Sequence, residues 1–324
     1  MIPVVYCFDS NYNLQAFTSI ISLLDSSSNK IEIFIIHKVE NDEEFLPEVI
    51  KFHKMLDRVT VYKFNNKNNY IFPNLSDSHV SEATYYRIFI EDYLPKNVEN
   101  ILYLDADIVC FNDPLDEINQ ITSEIIFKNL TVAAKTEHFK NSENENIFED
   151  LLMKSNAYFN AGVMIINLTS WKKLNIKEKL IDALQTLHEK VKLWDQDLLN
   201  HVFDGKYVEL EEKYNYVIDL AGYEYKNHSI KISDVTNNNH LIHFAGSHKP
   251  WFINGILCNL AEIYQTQYRK LYDDYYHLEH KMKKLSLVYY IKSIINKNLF
   301  KCVFPMKLTI QLFLSMFVKG KINK

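Results

Sequence analysis

The sequence predicts an α/β fold, with a mostly parallel sheet flanked by helices and a basic helical region at the C-terminus. Short apolar and β-branched runs alternate with longer amphipathic segments, which is typical of a parallel sheet with helical crossovers. The chain has 324 residues, 47% of them hydrophobic, enough for one large domain or two ordinary ones. Residues 281–324 contain ten Lys and no Asp or Glu, which sets this region apart from the body.

The predicted elements follow from these patterns in chain order. Strands are expected where short runs of Val, Ile, Leu, Phe and Tyr lie between polar residues. They are Val4–Phe8, Ile31–Ile36, Val59–Phe64, Ile101–Leu104, Thr131–Ala134, Gly162–Leu168, Tyr207–Leu210 and Leu241–Phe244. Helices are expected where apolar residues recur every three or four positions. They are Leu14–Leu24, Glu43–Met55, Ala83–Tyr93, Ile176–Lys190 and Gln196–Val202. A ligand should bind beyond the carboxyl ends of the strands.

The composition excludes several classes of protein. The six glycines form neither a dinucleotide-binding G-x-G-x-x-G pattern nor a phosphate-binding P-loop. Residues 1–280 have a net charge of −15, from 26 basic and 41 acidic groups, which argues against nucleic acid as a partner. Four widely spaced cysteines favour a reducing compartment over a disulfide framework. Without a recognisable signal peptide or spanning segment, the expected location is the cytoplasm.

Two carboxylates follow one predicted strand. Asp105 and Asp107 flank Ala106 directly after Ile101–Leu104, and a second apolar run follows them. Side chains at i and i+2 of a strand point to the same face, so both carboxylates can reach one cation. Mg²⁺ and Mn²⁺ prefer oxygen ligands, and burying two carboxylates without a cation is costly. A metal site is expected here, and a solvated turn is the alternative.

A second polar cluster ends the predicted strand Leu241–Phe244. His243 can supply an imidazole nitrogen to a divalent cation, although such a histidine is also commonly a hydrogen-bonded core group. Gly246 lets the backbone approach a ligand closely, and Lys249 offers a positive charge to a phosphate. This segment therefore predicts binding of a cation and a phosphate.

Two other segments place polar side chains near the ends of elements. Asn160 precedes a predicted strand, where it can bind a sugar hydroxyl or cap the local backbone. Asp195 precedes the predicted helix Gln196–Val202, which is the typical position of an N-cap. Gln196 and Asp197 would then lie in or near the first turn of that helix.

Together these segments resemble glycosyltransferase family 8, whose members are retaining enzymes of the GT-A fold that use nucleotide sugars. Within this family it resembles bacterial lipooligosaccharide and lipopolysaccharide α-galactosyl- or glucosyltransferases. The resemblance covers residues 3–252 and rests on segments in the expected order: Phe8–Tyr12, Thr84–Arg87, Tyr103–Ile108, Tyr158–Gly162 with Ile165–Leu168 and Trp171, Asp195–Asn200, and His243–Trp251. It implies a Rossmann-like GT-A domain over residues 1–255, followed by a helical basic region over residues 256–324.

The resemblance implies a metal and diphosphate site. Asp105, Asp107 and His243 would ligate Mn²⁺ or Mg²⁺, which would also hold the diphosphate of the donor. Gly246 and Lys249 would bind the same diphosphate. The charge on the departing oxygens would thus be stabilised without a strong base.

The resemblance also implies the contacts of the UDP-sugar donor. Asp9 and Asn11 would read the uracil and ribose, with the backbone of Cys7 nearby. Ala106 would border the donor between the two carboxylates, and Arg87 would face it.

The transferred sugar and its acceptor would meet a further set of residues. Asp195 would hold the hydroxyls of the sugar, and Gln196 occupies the position of the family's disputed nucleophile. Asn160 and, more loosely, His79 and Glu137 would border the sugar or acceptor. Retention can follow a covalent intermediate or a front-face route. Because an amide is a poor nucleophile, Gln196 favours the front-face route.

The C-terminal region has its own pattern. Residues 256–280 are aromatic and mixed in charge, which predicts helix packed on the domain. Residues 281–324 alternate apolar clusters with lysines, which suits a segment lying on an anionic membrane. A solvated tail, or helices packed on the acidic body, are the alternatives.

The sequence therefore predicts a hexosyltransferase that moves galactose or glucose from a UDP-sugar to a saccharide acceptor. The expected acceptor is the core oligosaccharide of lipopolysaccharide or lipooligosaccharide, and the expected location is the inner face of the cytoplasmic membrane. One alternative keeps the enzyme but changes the acceptor to a protein or a soluble glycan. Another is a non-catalytic module that binds sugar nucleotides.

Overall fold

The structure, a computed structural model, describes residues 2–38, 45–73, 81–138, 146–223 and 230–317. Within these ranges the chain forms a seven-stranded sheet and a second, three-stranded sheet. The strands are β1 (Val4–Cys7), β2 (Ile31–His37), β3 (Leu56–Lys63), β4 (Asn100–Leu104), β5 (Ile108–Cys110), β6 (Val132–Thr136), β7 (Phe159–Asn167), β8 (Val208–Glu209), β9 (Tyr216–Val217) and β10 (Leu241–His243).

Helices cover the sheets and form the C-terminal region. The α-helices are α1 (Asn13–Ser26), α2 (Glu48–Lys51), α3 (Ile90–Tyr93), α4 (Leu115–Phe127), α5 (Ile147–Asp150), α6 (Leu168–Lys173), α7 (Ile176–Thr186), α8 (Trp194–Phe203), α9 (Ile232–Thr236), α10 (Ile253–Ile256), α11 (Glu262–Tyr268), α12 (Lys283–Ile295) and α13 (Pro305–Phe317). Short 3₁₀ helices span Glu82–Phe89, Glu212–Tyr214, Leu220–Tyr223, Asn259–Ala261 and Leu299–Lys301.

The larger sheet is mostly parallel, as the sequence predicts. Its strand order is β3-β2-β1-β4-β7-β6-β8. The pairs β3–β2, β2–β1, β1–β4 and β6–β8 are parallel, whereas β7 runs antiparallel to both β4 and β6. Because of this reversal, the start of β7 lies beside the carboxyl end of β4. Asn160 and Gly162 are thereby brought to the edge of the sheet that carries Asp105.

Apolar side chains cover both faces of this sheet. Along β1, Val5 and Cys7 belong to a cluster with α6, α7 and α8, whereas Val4 and Tyr6 belong to a cluster with α1 and α4. The alternation follows the period of two along a strand. A sheet of parallel strands requires this cover on both faces, and the predicted α/β architecture is confirmed.

Two of the predicted helices differ in the structure. The helix expected at Glu43–Met55 is shorter in the structure, because α2 is its one α-helical part among the described residues. The chain turns after α2, where His53 Nδ1 accepts the Met55 N–H at 3.2 Å, and β3 then begins at Leu56 to pair with β2. The helix expected at Ala83–Tyr93 is 3₁₀ up to Phe89, within a 3₁₀ helix that begins at Glu82, and only α3 is α-helical. The remaining predicted strands and helices are present, with ends that differ by a few residues.

The smaller sheet was not expected from the sequence. Its order is β5-β10-β9, and Ile108 of β5 pairs with His243 of β10. The chain leaves the large sheet at Leu104 and enters the small one at Ile108, so Asp105 and Asp107 lie in the step between two sheets. This pairing brings Asp107 beside His243.

The C-terminal region packs against the body. One apolar cluster contains Ile242 of β10 and Trp251 together with six residues between 258 and 268, on both sides of the expected boundary at 255 and 256. Helices α12 and α13 are joined through Leu299–Lys301, and one face of the pair contacts the body in a second cluster. Its buried members are Ile253, Ile256, Tyr276, Tyr290, Leu299, Leu308 and Leu312. Within the described ranges, no helix combines the length and apolar content needed to cross a bilayer.

Candidate active site

A cleft of about 240 Å³ opens where the two sheets meet. It lies beyond the carboxyl ends of β1, β4 and β10, as expected for an α/β sheet. The predicted site residues that line it are Cys7, Arg87, Asp105, Ala106, Asp107, Asn160, Asp195, Gln196, His243, Gly246 and Lys249. Asp9 and Asn11 lie in the turn after β1, beside the lining residues Phe8 and Tyr12, and are not themselves part of the lining.

Three of these residues form a possible cation site. One ligand atom from each of Asp105, Asp107 and His243 lies within 4.8 Å of the others. His243 Nε2 is 3.4 Å from Asp107 Oδ1, and this oxygen is buried without a hydrogen bond. A buried carboxylate oxygen without a donor is costly, and a cation between the three side chains would satisfy it.

Lys249 forms a buried ion pair in the same place. Its Nζ is 2.7 Å from Asp107 Oδ2 and also donates to the carbonyl oxygen of Phe244 at 2.8 Å. Burial acts to raise the pKa of the Asp107 carboxyl, but the positive charge of Lys249 opposes this effect, and that pKa lies below its ordinary value. Asp107 is therefore an anion in the cleft at neutral pH.

Arg87 links the metal side of the cleft to α8. Its guanidinium is 3.2 Å from Asp105 Oδ1 and 2.5 Å from Asp195 Oδ2, and Thr84 Oγ1 donates to Asp195 Oδ1 at 2.6 Å. In a 3₁₀ helix, side chains three residues apart lie on one face, so the winding of Glu82–Phe89 aims Thr84 and Arg87 at the same carboxylate. Burial raises the pKa of Asp195 to about 6, against the opposing effects of Arg87 and Thr84.

The N-cap expected at Asp195 is wrong. Helix α8 begins at Trp194 with Leu193 at the N-cap position, and the Asp195 side chain points to Thr84 and Arg87 instead. Asp197 holds the helix start, because its Oδ2 accepts the backbone N–H groups of Lys192 and Leu193. The Asp195 carboxylate pairs with the buried guanidinium of Arg87 instead of capping the helix, so it faces the cleft.

Polar side chains surround the other end of the cleft. Gln196 Oε1 accepts the Ala161 N–H at 2.9 Å, and Gln196 Nε2 donates to Glu137 Oε2 at 3.1 Å. Asn160 Nδ2 donates to the same Glu137 oxygen at 3.3 Å. These groups provide donors and acceptors suited to hydroxyl groups.

The predicted residues that remain occupy different places. Asp9 Oδ1 accepts the Asn11 N–H at 2.8 Å, which fixes the turn after β1, and Asn11 is exposed. Gly246 has a φ of 79°, which glycine adopts freely, and a Cβ there would lie 2.8 Å from Asp219 Oδ1. His79 lies outside the described residues.

Sequence reasoning missed other residues of the site. Thr84 lies in the segment Thr84–Arg87, for which the resemblance implies a role of Arg87 alone, although Thr84 binds Asp195. Trp194 lines the cleft with a φ of 54°, a strained conformation for an aromatic residue. Asn215 is fully buried and contacts both His243 and Asn160. The single local signal that could have identified Asn215 is its position as a polar residue inside the largely apolar segment Tyr214–Ile218.

Comparison with known proteins finds relatives that match most of the chain. The sequence model of glycosyl transferase family 8 matches residues 3–255. Lipopolysaccharide 1,2-glucosyltransferase of Escherichia coli is 30% identical over 257 residues, which cover 76% of this chain and 72% of that protein. General stress protein A of Bacillus subtilis (strain 168) is 26% identical over 269 residues, which cover 78% of this chain and 87% of that protein.

A solved structure shares the fold. The crystal structure of the galactosyltransferase LgtC, in complex with donor and acceptor sugar analogues, superimposes with a TM-score of 0.66. The alignment covers 83% of this chain and 96% of that chain, at 20% identity. This likeness confirms the predicted GT-A fold.

Proposed function

The chain belongs to glycosyl transferase family 8, and from this premise we propose that it transfers galactose or glucose from a UDP-sugar to a saccharide acceptor. Family membership makes the chain a glycosyltransferase. The core oligosaccharide of lipopolysaccharide or lipooligosaccharide is the acceptor we propose, because the E. coli relative is named a lipopolysaccharide glucosyltransferase. The observation that carries the proposal is the meeting of a three-ligand cation site and two buried basic side chains in one cleft.

A divalent cation fits the donor set of Asp105, Asp107 and His243. Two carboxylates and one imidazole suit Mn²⁺, and Mg²⁺ is also compatible with the oxygen ligands. The buried Asp107 oxygen without a hydrogen bond supports this assignment. When bound, such a cation would neutralise negative charge on the diphosphate leaving group.

The side chains around the cation site are arranged to hold a diphosphate. Lys249 is fixed between Asp107 and the Phe244 carbonyl, and Arg87 is fixed between Asp105 and Asp195. Both charges are oriented before the donor binds, so little reorganisation is needed when charge develops on the leaving oxygens. Gly246 leaves its part of the cleft wall free of a side chain.

We assign the nucleoside to the part of the cleft next to β1. Cys7 lines the cleft there, and Asp9 and Asn11 form the turn that follows it. A carboxylate and an amide at this turn can pair with the polar edge of uracil and with ribose hydroxyls. Ala106, between the two acidic ligands, borders the same region.

The transferred sugar would lie between Asp195, Asn160 and Gln196. The carboxylate of Asp195 is held by Thr84 and Arg87, so it can accept hydrogen bonds from sugar hydroxyls without moving. The Gln196 carbonyl oxygen already accepts a backbone N–H, and an amide is intrinsically a weak nucleophile. Departure and attack on the same face of the sugar therefore fit this site better than a covalent intermediate. Rapid trapping of a sugar on residue 196 would contradict this route.

The proposed activity is tested with a panel of UDP-sugars, scored by release of UDP with and without Mn²⁺. We expect release from UDP-galactose or UDP-glucose that depends on the cation and is lost in Asp107→Ala. Asp113→Ala is the matched control, because Asp113 binds Ser28 and the start of α4 away from the cleft. Donor binding without UDP release in the presence of purified lipooligosaccharide would instead indicate a non-catalytic binding module.

We further propose that the helical pair α12–α13 lies on an anionic membrane surface. Its inner face packs on the body, while its outer face exposes large apolar side chains. These include Leu287, Val288, Ile291, Ile295, Phe300, Val303, Met306, Ile310 and Leu314. Exposed lysines occur along both helices, and residues 281–324 contain no acidic side chain. Apolar groups flanked by lysines match the chemistry of an anionic lipid surface.

This arrangement suits an acceptor that is itself embedded in a membrane. We propose that the enzyme works as a peripheral protein on the inner face of the cytoplasmic membrane. We also propose residues 1–255 as the transferase domain and residues 256–324 as the helical basic region that associates with the membrane. The family model ends at residue 255, which supports this boundary.

A further inference from the structure

Asn215 lies between the proposed metal ligand His243 and the sugar-side residue Asn160. His243 Nδ1 and Asn215 Oδ1 are 3.1 Å apart, and Asn215 Nδ2 donates to Asn160 Oδ1 at 3.0 Å. Asn215 is 0% exposed, and its hydrogen-bond partners His243 and Asn160 are also buried. Every polar atom of the Asn215 side chain is therefore committed to the site.

A backbone group sets the direction of these hydrogen bonds. The Gly162 N–H, which can only donate, bonds Asn160 Oδ1 at 3.0 Å and identifies that atom as the oxygen. The Asn215 atom that faces this oxygen must be the amide nitrogen, so Asn215 turns its own oxygen towards His243. Because that oxygen only accepts, the ring nitrogen Nδ1 of His243 must carry a proton. The backbone N–H of Gly162 thus determines the tautomer of His243, through the side chains of Asn160 and Asn215.

We propose that Asn215 is a positioning residue that fixes the tautomer and orientation of His243. With the proton on Nδ1, the lone pair of the neutral ring lies on Nε2, the atom that faces Asp107 at 3.4 Å. Outer hydrogen bonds of this kind orient metal-binding histidines and raise their basicity. The inference rests on the proposed function, in which His243 is a ligand of the cation.

The same bonds connect the cation side to the sugar side. Asn160 is held by Asn215 on its oxygen and donates through its nitrogen to Glu137, which also accepts from Gln196. Asn215 therefore acts in two directions, through its oxygen on His243 and through its nitrogen on Asn160. A substitution that removes one of these hydrogen bonds and keeps the other distinguishes the two effects.

Close packing keeps the His243 ring in this place. A Cβ on Gly162 would lie 2.4 Å from His243 Cε1 and 2.9 Å from Nδ1. The ring therefore occupies the space that a side chain at position 162 would need. Backbone pairing fixes the position from which the side chain extends, because Val217, two residues after Asn215, pairs with His243. The ring therefore packs against β7 from a fixed point on β10.

The first test reads the tautomer in the metal-free protein. Two-bond ¹H–¹⁵N NMR spectra at alkaline pH distinguish a protonated from an unprotonated ring nitrogen, and His243→Gln identifies the His243 signals by their absence. We expect Nδ1 protonated and Nε2 unprotonated in the wild type and in Asn215→Asp, whose carboxylate still accepts. In Asn215→Leu we expect exchange between tautomers. A wild-type ring protonated on Nε2, or an unchanged ring in Asn215→Leu, would overturn the inference.

The second test reads Mn²⁺ affinity, by electron paramagnetic resonance of the free ion, and steady-state kinetics. Loss of an outer hydrogen bond to a metal-binding histidine weakens metal binding by about 10- to 100-fold, which we expect for Asn215→Leu. For Asn215→Asp we expect Mn²⁺ affinity close to that of the wild type but a lower kcat, because Asn160 loses its donor. Equal losses of Mn²⁺ affinity in the two variants would contradict the positioning role. A wild-type protein that binds no Mn²⁺ would refute the proposed function instead, since the tautomer is read without metal.

Discussion

Asp107 and Lys249 form a buried ion pair at the point where the cation is proposed to bind. Removing one partner of such a pair leaves an uncompensated buried charge, which typically costs about 3–5 kcal/mol. In this site the remaining charge would be a carboxylate, which a divalent cation can neutralise. Lys249 therefore stabilises the metal-free protein as well as serving the proposed diphosphate site.

We predict that Lys249→Met lowers the free energy of unfolding by about 3 kcal/mol or more without metal. Saturating Mn²⁺ should recover part of this loss, because the cation replaces the lost positive charge beside Asp107. The measurement is chemical denaturation of both proteins with chelator and with Mn²⁺. Lys213→Met is the control, because Lys213 pairs with Glu117 near the surface. This substitution should lower the free energy of unfolding by about 1 kcal/mol or less, with no response to Mn²⁺. Equal losses in the two variants would contradict the prediction.

The buried carboxyl of Asp195 makes stability depend on pH. Its pKa in the folded protein is about 6, above the ordinary value of 3.8, so the folded state binds the proton more tightly than the unfolded state. Asp195 therefore stabilises the fold less as the pH rises from about 4 to about 6, and the cost persists above that window. Raising this pKa from 3.8 to about 6 lowers the free energy of unfolding by roughly 3 kcal/mol above that window.

We predict that Asp195→Asn, which mimics the protonated side chain, removes this pH dependence. In the presence of chelator, the unfolding free energy of the variant minus that of the wild type should rise between about pH 4 and pH 6 and stay constant above. Denaturation curves at several pH values measure it. A difference that does not change with pH would show that the pKa of Asp195 is not raised. Transferase activity of the variant should be low at every pH, because Asp195 is proposed to hold the sugar.

At the scale of elements, the residues at strand ends could be predicted, but the elements that orient them could not. Asp105, Asp107 and His243 each follow or end an apolar run, and that is visible in the sequence. The pairing of β5 with β10 is not, because Ile108–Cys110 is too short to have a period of its own. The 3₁₀ winding of Glu82–Phe89 also escaped prediction, because its apolar spacing fits an α-helix and the contacts of Arg87 with Asp195 are non-local.

Strand β7 contains a glycine whose role depends on a close approach between two sheets. We predict that Gly162→Ala displaces the His243 ring, which a Cβ would meet at 2.4 Å, and lowers Mn²⁺ affinity at least about tenfold. Gly205→Ala is the matched control. Gly205 has a φ of 75° and a Cβ there would meet Ser155, so this variant should lose stability without losing Mn²⁺ affinity. Calorimetric titration with Mn²⁺ and thermal unfolding separate the two effects.

At the scale of the whole molecule, charge and apolar surface are divided between two regions. Residues 1–280 have a net charge of −15, whereas residues 281–324 have one of +10. This division could be read from the sequence, but the packing of α12 and α13 could not. The structure shows that Tyr290, Leu308 and Leu312 turn inward, which leaves the other face of the pair exposed. An acidic body would be repelled by an anionic membrane, so the two regions together would orient the molecule with α12–α13 towards the lipid.

The exposed apolar side chains of this pair can be changed without disturbing its inner face. Ile295, Phe300 and Met306 are 72%, 66% and 77% exposed. We predict that replacing all three by Ser weakens binding to anionic vesicles and leaves thermal stability and UDP release unchanged. Sedimentation with phosphatidylglycerol-containing vesicles measures the binding. Vesicle binding equal to that of the wild type would argue against the apolar part of the membrane proposal.

The lysines around the same face should contribute a part of the binding that salt can screen. We predict that Lys284→Gln, Lys292→Gln and Lys301→Gln together weaken binding to anionic vesicles about a hundredfold at low salt, from about 1 kcal/mol for each lysine. The difference from the wild type should shrink as salt shortens the screening length, whereas the loss in the Ser variant should persist. A triple Gln variant at the exposed body residues 54, 173 and 206 is the control for net charge alone. If it weakens binding equally, the effect comes from total charge, and α12–α13 is not the surface that meets the lipid.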